Sequence, residues 1–147
     1  MHHLRVKEIR DNFANRKDNL VVFVDARGEP CGLGARILSK QNLLPEACDV
    51  MGRGKIRRVG NKLVIALPVE RNVSSLTVLD SIKEALKSLV DIIRELELQT
   101  ISVCKSDVNG VPFAKIDKAF RTALWDHNLG INICTNEIAT VTSGEPT

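Results

Sequence analysis

The stretch Val21–Ala35, with the sequence VVFVDARGEPCGLGA, decides the fold class of this chain. It begins as an apolar run typical of a buried strand, and Gly32-Leu33-Gly34 then opens a segment with helical periodicity. A strand that leads through Gly-x-Gly into a helix presents backbone N–H groups and the positive end of the helix to a phosphate. Glycines equally serve tight turns. The stretch therefore predicts an α/β domain and leaves open whether the turn is a nucleotide site or purely structural.

Composition predicts a single globular domain. The chain has 147 residues, of which 44% are hydrophobic and 27% charged, as is usual for one soluble domain with its own core. The aromatic side chains are four Phe and one Trp, too few for the stacking surface that single-stranded nucleic acid requires. No signal peptide or long apolar run is visible, so we expect an intracellular protein, cytoplasmic or nuclear, without membrane contact. The four cysteines are spaced too irregularly for a zinc pair, and we expect neither metal nor cofactor.

Short apolar runs alternate with helical patterns along the chain, which is typical of an α/β domain with a largely parallel or mixed sheet. The predicted strands are Leu4 to Ile9, Leu20 to Ala26, Lys55 to Val59, Lys62 to Val69, Thr100 to Cys104 and Ile131 to Thr135. The predicted helices run from Leu33 to about Gln41, from Ser75 to about Glu97, and from Pro112 to between Asn128 and Gly130. Gly60-Asn61 predicts a hairpin turn, so the strands on either side of it should be antiparallel.

A basic cluster lies at Arg53-Gly54-Lys55-Ile56-Arg57-Arg58. Such a cluster can contact the phosphates of a nucleic acid, but Lys and Arg on an edge strand also prevent sheets from pairing edge to edge. We favour the edge strand. Nucleic acid therefore stays a weak alternative partner.

Carboxylates offer the candidates for chemistry, since His127, at a predicted helix end, is the only histidine beyond the N-terminal pair. Asp11 follows the first predicted strand, Asp25 ends the second, and Asp107 follows the strand at Thr100 to Cys104. If these strands are neighbours, their carboxyl ends line one crevice, the usual ligand location in open α/β sheets. Each Asp can accept hydrogen bonds from an adenine amine or a ribose hydroxyl, or it can cap the turn that follows its strand.

Three stretches, in this order along the chain, resemble the macro domain, an ADP-ribose-binding fold, and within it the subgroup of terminal ADP-ribose protein glycohydrolase. The first is Val6 to Phe13, similar to that family's first strand and adenine-binding segment. The second is Cys31 to Ile37, similar to its Gly-Ala-Gly-Ile-Ala turn. The third runs from Ile101 through Val111-Pro112-Phe113 to Cys134, similar to its second phosphate loop, last helix and last strand. The resemblance covers about residues 4–135 and implies a three-layer α/β/α core with a mixed, mostly parallel sheet, within a single domain over residues 1–147. The Thr, Ser, Gly and Pro residues of 136–147 predict a flexible tail.

The resemblance also implies a ligand site. The positions that it assigns to ligand binding are Asp11, Asn12, Asp25, Gly32, Leu33, Gly34, Ser106, Asn109 and Gly110. The second loop departs from the family, because Gly110 is its only glycine and side chains restrict the backbone that should wrap a diphosphate. The subgroup's catalytic Lys and Asp correspond approximately to Ser75 and Asn109. A hydroxyl and an amide cannot serve as amine nucleophile and carboxylate base, so that mechanism does not carry over.

Three functions follow for such a chain. The leading hypothesis is a catalytically impaired macro-like module that binds ADP-ribose, an ADP-ribosylated protein or a related nucleotide through Asp11 and Gly32 to Gly34. The first alternative is a structural or protein-interaction module, with a larger viral or mobile-element polyprotein as its setting. The second is an active ADP-ribosyl hydrolase in which Asp107 or Asp25 has become the base.

Overall fold

The structure, a computed structural model, describes residues 3–46, 54–71 and 73–136. Its strands are β1 (Leu4–Ile9), β2 (Asn19–Val24), β3 (Pro30–Cys31), β4 (Lys55–Val59), β5 (Lys62–Pro68), β6 (Thr100–Cys104) and β7 (Leu129–Cys134). Its helices are α1 (Leu33–Lys40), α2 (Ser75–Leu96) and α3 (Phe113–Leu124), with a 3-10 helix at Phe13–Asn15. Every predicted strand and helix is present, and the two-residue strand β3 is an addition.

The strands form one sheet in the order β1-β7-β6-β2-β5-β4, with β3 paired to β2. From β1 to β5 along this path, the five strands β1, β7, β6, β2 and β5 are all parallel to one another. β4 is antiparallel to β5 across Gly60-Asn61, which confirms the predicted hairpin. The sheet is therefore mixed and mostly parallel, as predicted.

Helices cover both faces of the sheet, because alternate residues of a strand point to opposite sides. On β2, Val21 and Phe23 join the core beneath α2 and α3. Leu20, Val22 and Val24 join the core beneath α1 and the 3-10 helix. A strand buried on both faces reads as a continuous apolar run, which is why the opening stretch is so clear in the sequence. The three-layer α/β/α architecture is confirmed.

Two predicted boundaries shift for identifiable reasons. Strand β2 ends at Val24 rather than Ala26, because Asp25 turns the chain back on itself. Helix α3 ends at Leu124, earlier than predicted, because β7 already pairs with β1 from Leu129 onward. A helix that continued to Gly130 would include residues that pair in parallel with β1.

Some predictions fall on residues that the structure does not describe. These are Cys48, Arg53 of the basic cluster, and the predicted tail except for Asn136. Among the described residues, no helix is both long enough and apolar enough to cross a bilayer.

Candidate functional site

The glycine turn (Cys31–Ala35) joins β3 to α1 at the carboxyl edge of the parallel strands. Gly32 has φ +87° and ψ 168°, a backbone conformation that is essentially restricted to glycine. A Cβ placed on it would lie 3.0 Å from Val108 Cγ2 and 3.3 Å from the Asp107 carbonyl oxygen. A Cβ on Gly34 would lie 2.8 Å from Cys104 Cβ. Close packing therefore requires both glycines, whether or not a ligand binds.

The second loop (Lys105–Val111) contains a tight hairpin. Val108 and Val111 exchange two backbone hydrogen bonds, of 3.1 and 2.9 Å, around Asn109 and Gly110. Both central residues have positive φ, 49° and 89°, as in a type I′ turn. Asn-Gly between two valines is the sequence signal for this turn, and it could have been recognised without the structure.

The glycine turn and the second loop touch, so the cleft between them is closed. The Leu33 N–H donates a 3.2 Å hydrogen bond to Ser106 Oγ, and Val108, only 4% exposed, lies against Gly32. The small cavity beside this contact has a volume of about 20 Å³ and is lined by Gly34, Ser106 and Val108 together with core residues of β2, β6 and α3. That is room for one water molecule, whereas sites for small ligands span roughly 300–1,000 Å³.

Asp25 caps the turn after β2. One carboxylate oxygen accepts the N–H groups of Arg27 and Glu29 at 2.9 and 3.0 Å, and the other pairs with Arg71 Nε at 3.1 Å. Burial alone would raise the pKa of Asp25, but the two N–H groups and the Arg71 guanidinium outweigh it and lower the pKa. Asp25 is therefore held as a structural carboxylate. Arg71, which sequence reasoning missed, is its charge partner.

Asp11, which follows the carboxyl end of β1, also has structural partners. Its carboxylate accepts the Asn12 N–H at 2.8 Å and pairs with Arg16 at 2.9 Å. The Arg16 hydrogen bond is the main reason that the pKa of Asp11 is lowered. Asn12 itself caps the 3-10 helix through a 3.2 Å bond from the Ala14 N–H.

A buried polar cluster around Asp18 lies beneath Arg16 and was not predicted. Asp18 accepts hydrogen bonds from Ser102 Oγ and from Asn132 Nδ2, each at 2.8 Å, and pairs with Arg16 at 3.3 Å. Burial alone would raise the pKa of Asp18, but these hydrogen bonds and the charge of Arg16 outweigh it. The pKa of Asp18 is therefore lowered. The network anchors the segment that carries Asp11.

Asp107 and Asn109 also have structural partners. Asp107 Oδ1 accepts the Phe113 N–H at 3.0 Å at the start of α3, and Asn109 Nδ2 donates to the Glu70 carbonyl at 2.8 Å. The structure brings Gly32, Leu33 and Ser106 together. It places Asp11, Asp25 and Asp107 at one edge of the sheet but gives each carboxylate a separate set of partners.

The three described cysteines are neutral thiols rather than reactive thiolates. Burial raises the pKa of both Cys104 and Cys134 to about 11, so both remain neutral thiols near pH 7. Burial also raises the pKa of Cys31, whose sulfur lies 3.0 Å from an Arg71 nitrogen. Within the described ranges, no group of His, Cys, Asp and Glu side chains could hold a metal ion.

Comparison with known proteins gives matches at the level of structure. No family model matches the chain, and no curated protein matches it. The macrodomain of Thermus aquaticus DarG is 18% identical, with a TM-score of 0.69 over 89% of this chain and 98% of that one. A structure of alphavirus P23pro-zbd is 16% identical, with a TM-score of 0.71 over 93% of this chain and 22% of that one. The Trypanosoma brucei macrodomain in complex with ADP-ribose is 15% identical, with a TM-score of 0.59 over 88% and 63%.

These likenesses show that the chain has the macrodomain fold, which confirms the fold predicted from the resemblance. At identities below 20% they show the fold alone.

Proposed function

We propose, on the premise of its macrodomain fold, that this chain is a non-catalytic module that acts through protein contacts. The observation that carries this proposal is the closed cleft. Ser106 Oγ takes the Leu33 N–H, and Val108 lies against Gly32, where a diphosphate would need open backbone. Filled space at this point favours a scaffold over a ligand site.

The residues at the catalytic positions support the same proposal. Ser75 and Asn109 correspond approximately to the lysine and the aspartate that the resemblance implies, and the Asn109 side chain donates a hydrogen bond to the Glu70 carbonyl. Asp25 and Asp107, the alternative bases, cap a turn and a helix. A carboxylate engaged in this way is poorly placed to take a proton from water.

The setting of the module is part of the proposal. The alphavirus structure that this chain resembles is much longer than the chain, which covers 22% of it. A protein-interaction segment within a larger viral or mobile-element polyprotein fits that relationship.

ADP-ribose binding is the second candidate. It is favoured by the glycine conformation retained at Gly32, by Asp11 after the carboxyl end of β1, and by the ADP-ribose complex of the trypanosome macrodomain. Binding would require the second loop to move away from the glycine turn. It would also require Asp11 to exchange Arg16 for the ligand.

Calorimetric titration with millimolar ADP-ribose separates the two candidates. We expect no heat, and no amide shifts at Asp11 or Gly32, for the natural sequence. The matched variant combines Ser106→Gly with Val108→Gly, which removes both side chains that close the cleft. Heat from the variant alone would identify closure as the reason for lost binding, whereas heat from the natural sequence would replace the proposal with the second candidate.

Hydrolysis has its own test. We expect the chain to release no ADP-ribose from a modified protein. Release that disappears in Asp107→Ala would establish the hydrolase alternative with Asp107 as its base.

A further inference from the structure

An apolar groove runs between α2 and α3 on the side of the sheet away from α1. The two helices pack against each other, and the groove between them has a volume of about 640 Å³. Its apolar lining consists of Leu79, Leu86, Ala119 and Ala123. The small alanine side chains leave space beside the larger leucines, so the surface between the two helices is a depression rather than a ridge. Leu76, one turn before Leu79 on α2, is 69% exposed and continues the apolar stripe.

Four exposed lysines surround this groove. They are Lys83, Lys87, Lys115 and Lys118. Lys87 pairs with Glu84 at 2.7 Å, and the other three have no ion pair among residues 3–46, 54–71 and 73–136. The groove lining contains no carboxylate. Lys83, Lys115 and Lys118 therefore leave three unpaired positive charges around an apolar floor, which attract a partner that brings both apolar and acidic side chains.

The spacing of the lysines fits a helical partner. Lys83 and Lys87 are four residues apart on α2, and Lys115 and Lys118 are three apart on α3. The two lysines of each pair are thus about one helical turn apart. Carboxylates three or four residues apart on an opposing helix have a similar spacing. A nucleic acid fits less well, because the lining has no aromatic side chain for base stacking and its floor is apolar.

We propose that this groove is the docking surface for an acidic amphipathic helix of a partner protein. The inference rests on the proposed function and deepens it, because it names the chemistry of the partner. Leucine-type side chains of the partner fill the groove, and its Asp or Glu residues pair with the lysines on both sides.

A designed peptide tests this proposal on the full chain. The probe is a fluorescein-labelled 16-residue helix with leucines on one face and glutamates beside them, followed by fluorescence anisotropy. We expect micromolar binding that weakens about tenfold in the Lys83→Glu, Lys118→Glu double variant, because two attractions become repulsions. Binding should also weaken between 50 and 500 mM NaCl. Lys40→Glu, on α1 across the sheet, is the matched control and should leave binding unchanged.

A second peptide with the same composition but scattered leucines measures charge alone, and it should bind much more weakly. Equal binding of the two peptides, no binding, or binding that ignores the double variant would overturn the proposal. If the double variant does not fold, Lys115→Glu carries the same test.

Other occupants give different signatures. Tighter binding of a labelled oligonucleotide, lost in the double variant, would make the groove a nucleic-acid surface. A dimer in sedimentation that the double variant abolishes would make it a contact between two copies. Either result overturns the proposal. The ADP-ribose titration reports on the cleft alone, so the failure of the proposed function and the failure of the groove are distinguished.

Discussion

The glycine turn and the second loop contact each other at the closed cleft, but their glycines have different structural roles. In the glycine turn, Gly32 and Gly34 stand where any Cβ would meet the loop or the sheet. In the second loop, a Cβ on Gly110 would meet no atom within 4 Å, and this glycine serves only the backbone of a hairpin. The glycine turn needs Gly32 for both its backbone and its packing and Gly34 for packing, whereas the second loop needs Gly110 for its backbone alone.

This difference changes what a glycine motif means. Gly-x-Gly before a helix is consistent with phosphate binding, but here the contacts of Gly32 with Val108 and of Gly34 with Cys104 account for both glycines without a ligand. In the second loop, Ser106 and Val108 present side chains to the glycine turn instead of open backbone. Retention of a motif on one side of a site therefore says little about the other side.

Substitution of Gly32 tests the packing requirement most severely. We expect Gly32→Ala to lower the free energy of unfolding by about 2 to 4 kcal/mol, because backbone strain and overpacking add. Denaturant unfolding followed by circular dichroism measures the change.

Gly60→Ala is the matched control for this substitution. Gly60 also has positive φ, 62°, but a Cβ there would meet no atom within 4 Å. It should lose only about 1 kcal/mol, since strain is its sole penalty. Equal losses at the two positions would mean that the second loop yields easily to the glycine turn, and the cleft would then be able to open.

The hairpin of the second loop is tested at Asn109. Asn109→Ala should lower the free energy of unfolding by about 1 to 2 kcal/mol, because alanine tolerates the left-handed backbone poorly and leaves the Glu70 carbonyl without this donor. Asn109→Gly keeps the backbone free and removes only the hydrogen bond, so it should lose about half as much. A glycine variant as unstable as the alanine variant would assign the whole effect to the Glu70 contact rather than to the turn.

Much of the fold was predictable because its signals are local. The buried strand at Asn19–Val24, the amphipathic pattern of Ser75–Leu96 and the Gly60-Asn61 hairpin each follow from periodicity or turn chemistry. The closed cleft was not predicted. It depends on Val108 and Ser106 meeting a turn more than 70 residues away in sequence, which no local pattern reports.

The charge partners of the candidate carboxylates were missed for a similar reason. Arg16 follows Asp11 by five residues, but Arg71 reaches Asp25 from 46 residues away. Only the parallel pairing of β2 with β5 brings these last two strand ends together. The choice between ligand binding and turn capping at Asp25 depended on that pairing, so it could not be made from the sequence.

Asp25, in the segment that leads to the glycine turn, gives the smallest and most specific effect. Asn at this position can still accept the two turn N–H groups, so Asp25→Asn removes mainly the charge that faces Arg71. We expect a loss of about 0.5 to 1 kcal/mol at pH 7 by denaturant unfolding.

The pH dependence identifies the cause of that loss. The folded pKa of Asp25 lies below its unfolded value of about 3.9, so its contribution is fully present above that value. It is lost as the pH falls through the folded pKa, so the gap between natural and variant chains should begin to narrow near pH 4 and close only below the folded pKa. The control is Asp107→Asn. The Asp107 carboxylate caps α3 and has no ion pair within the described residues, so this variant should show a smaller gap at pH 7. A gap at Asp25 that does not narrow between pH 7 and the lowest pH at which both chains stay folded would mean that the ion pair does not hold this turn, and the carboxylate would again be available to a ligand.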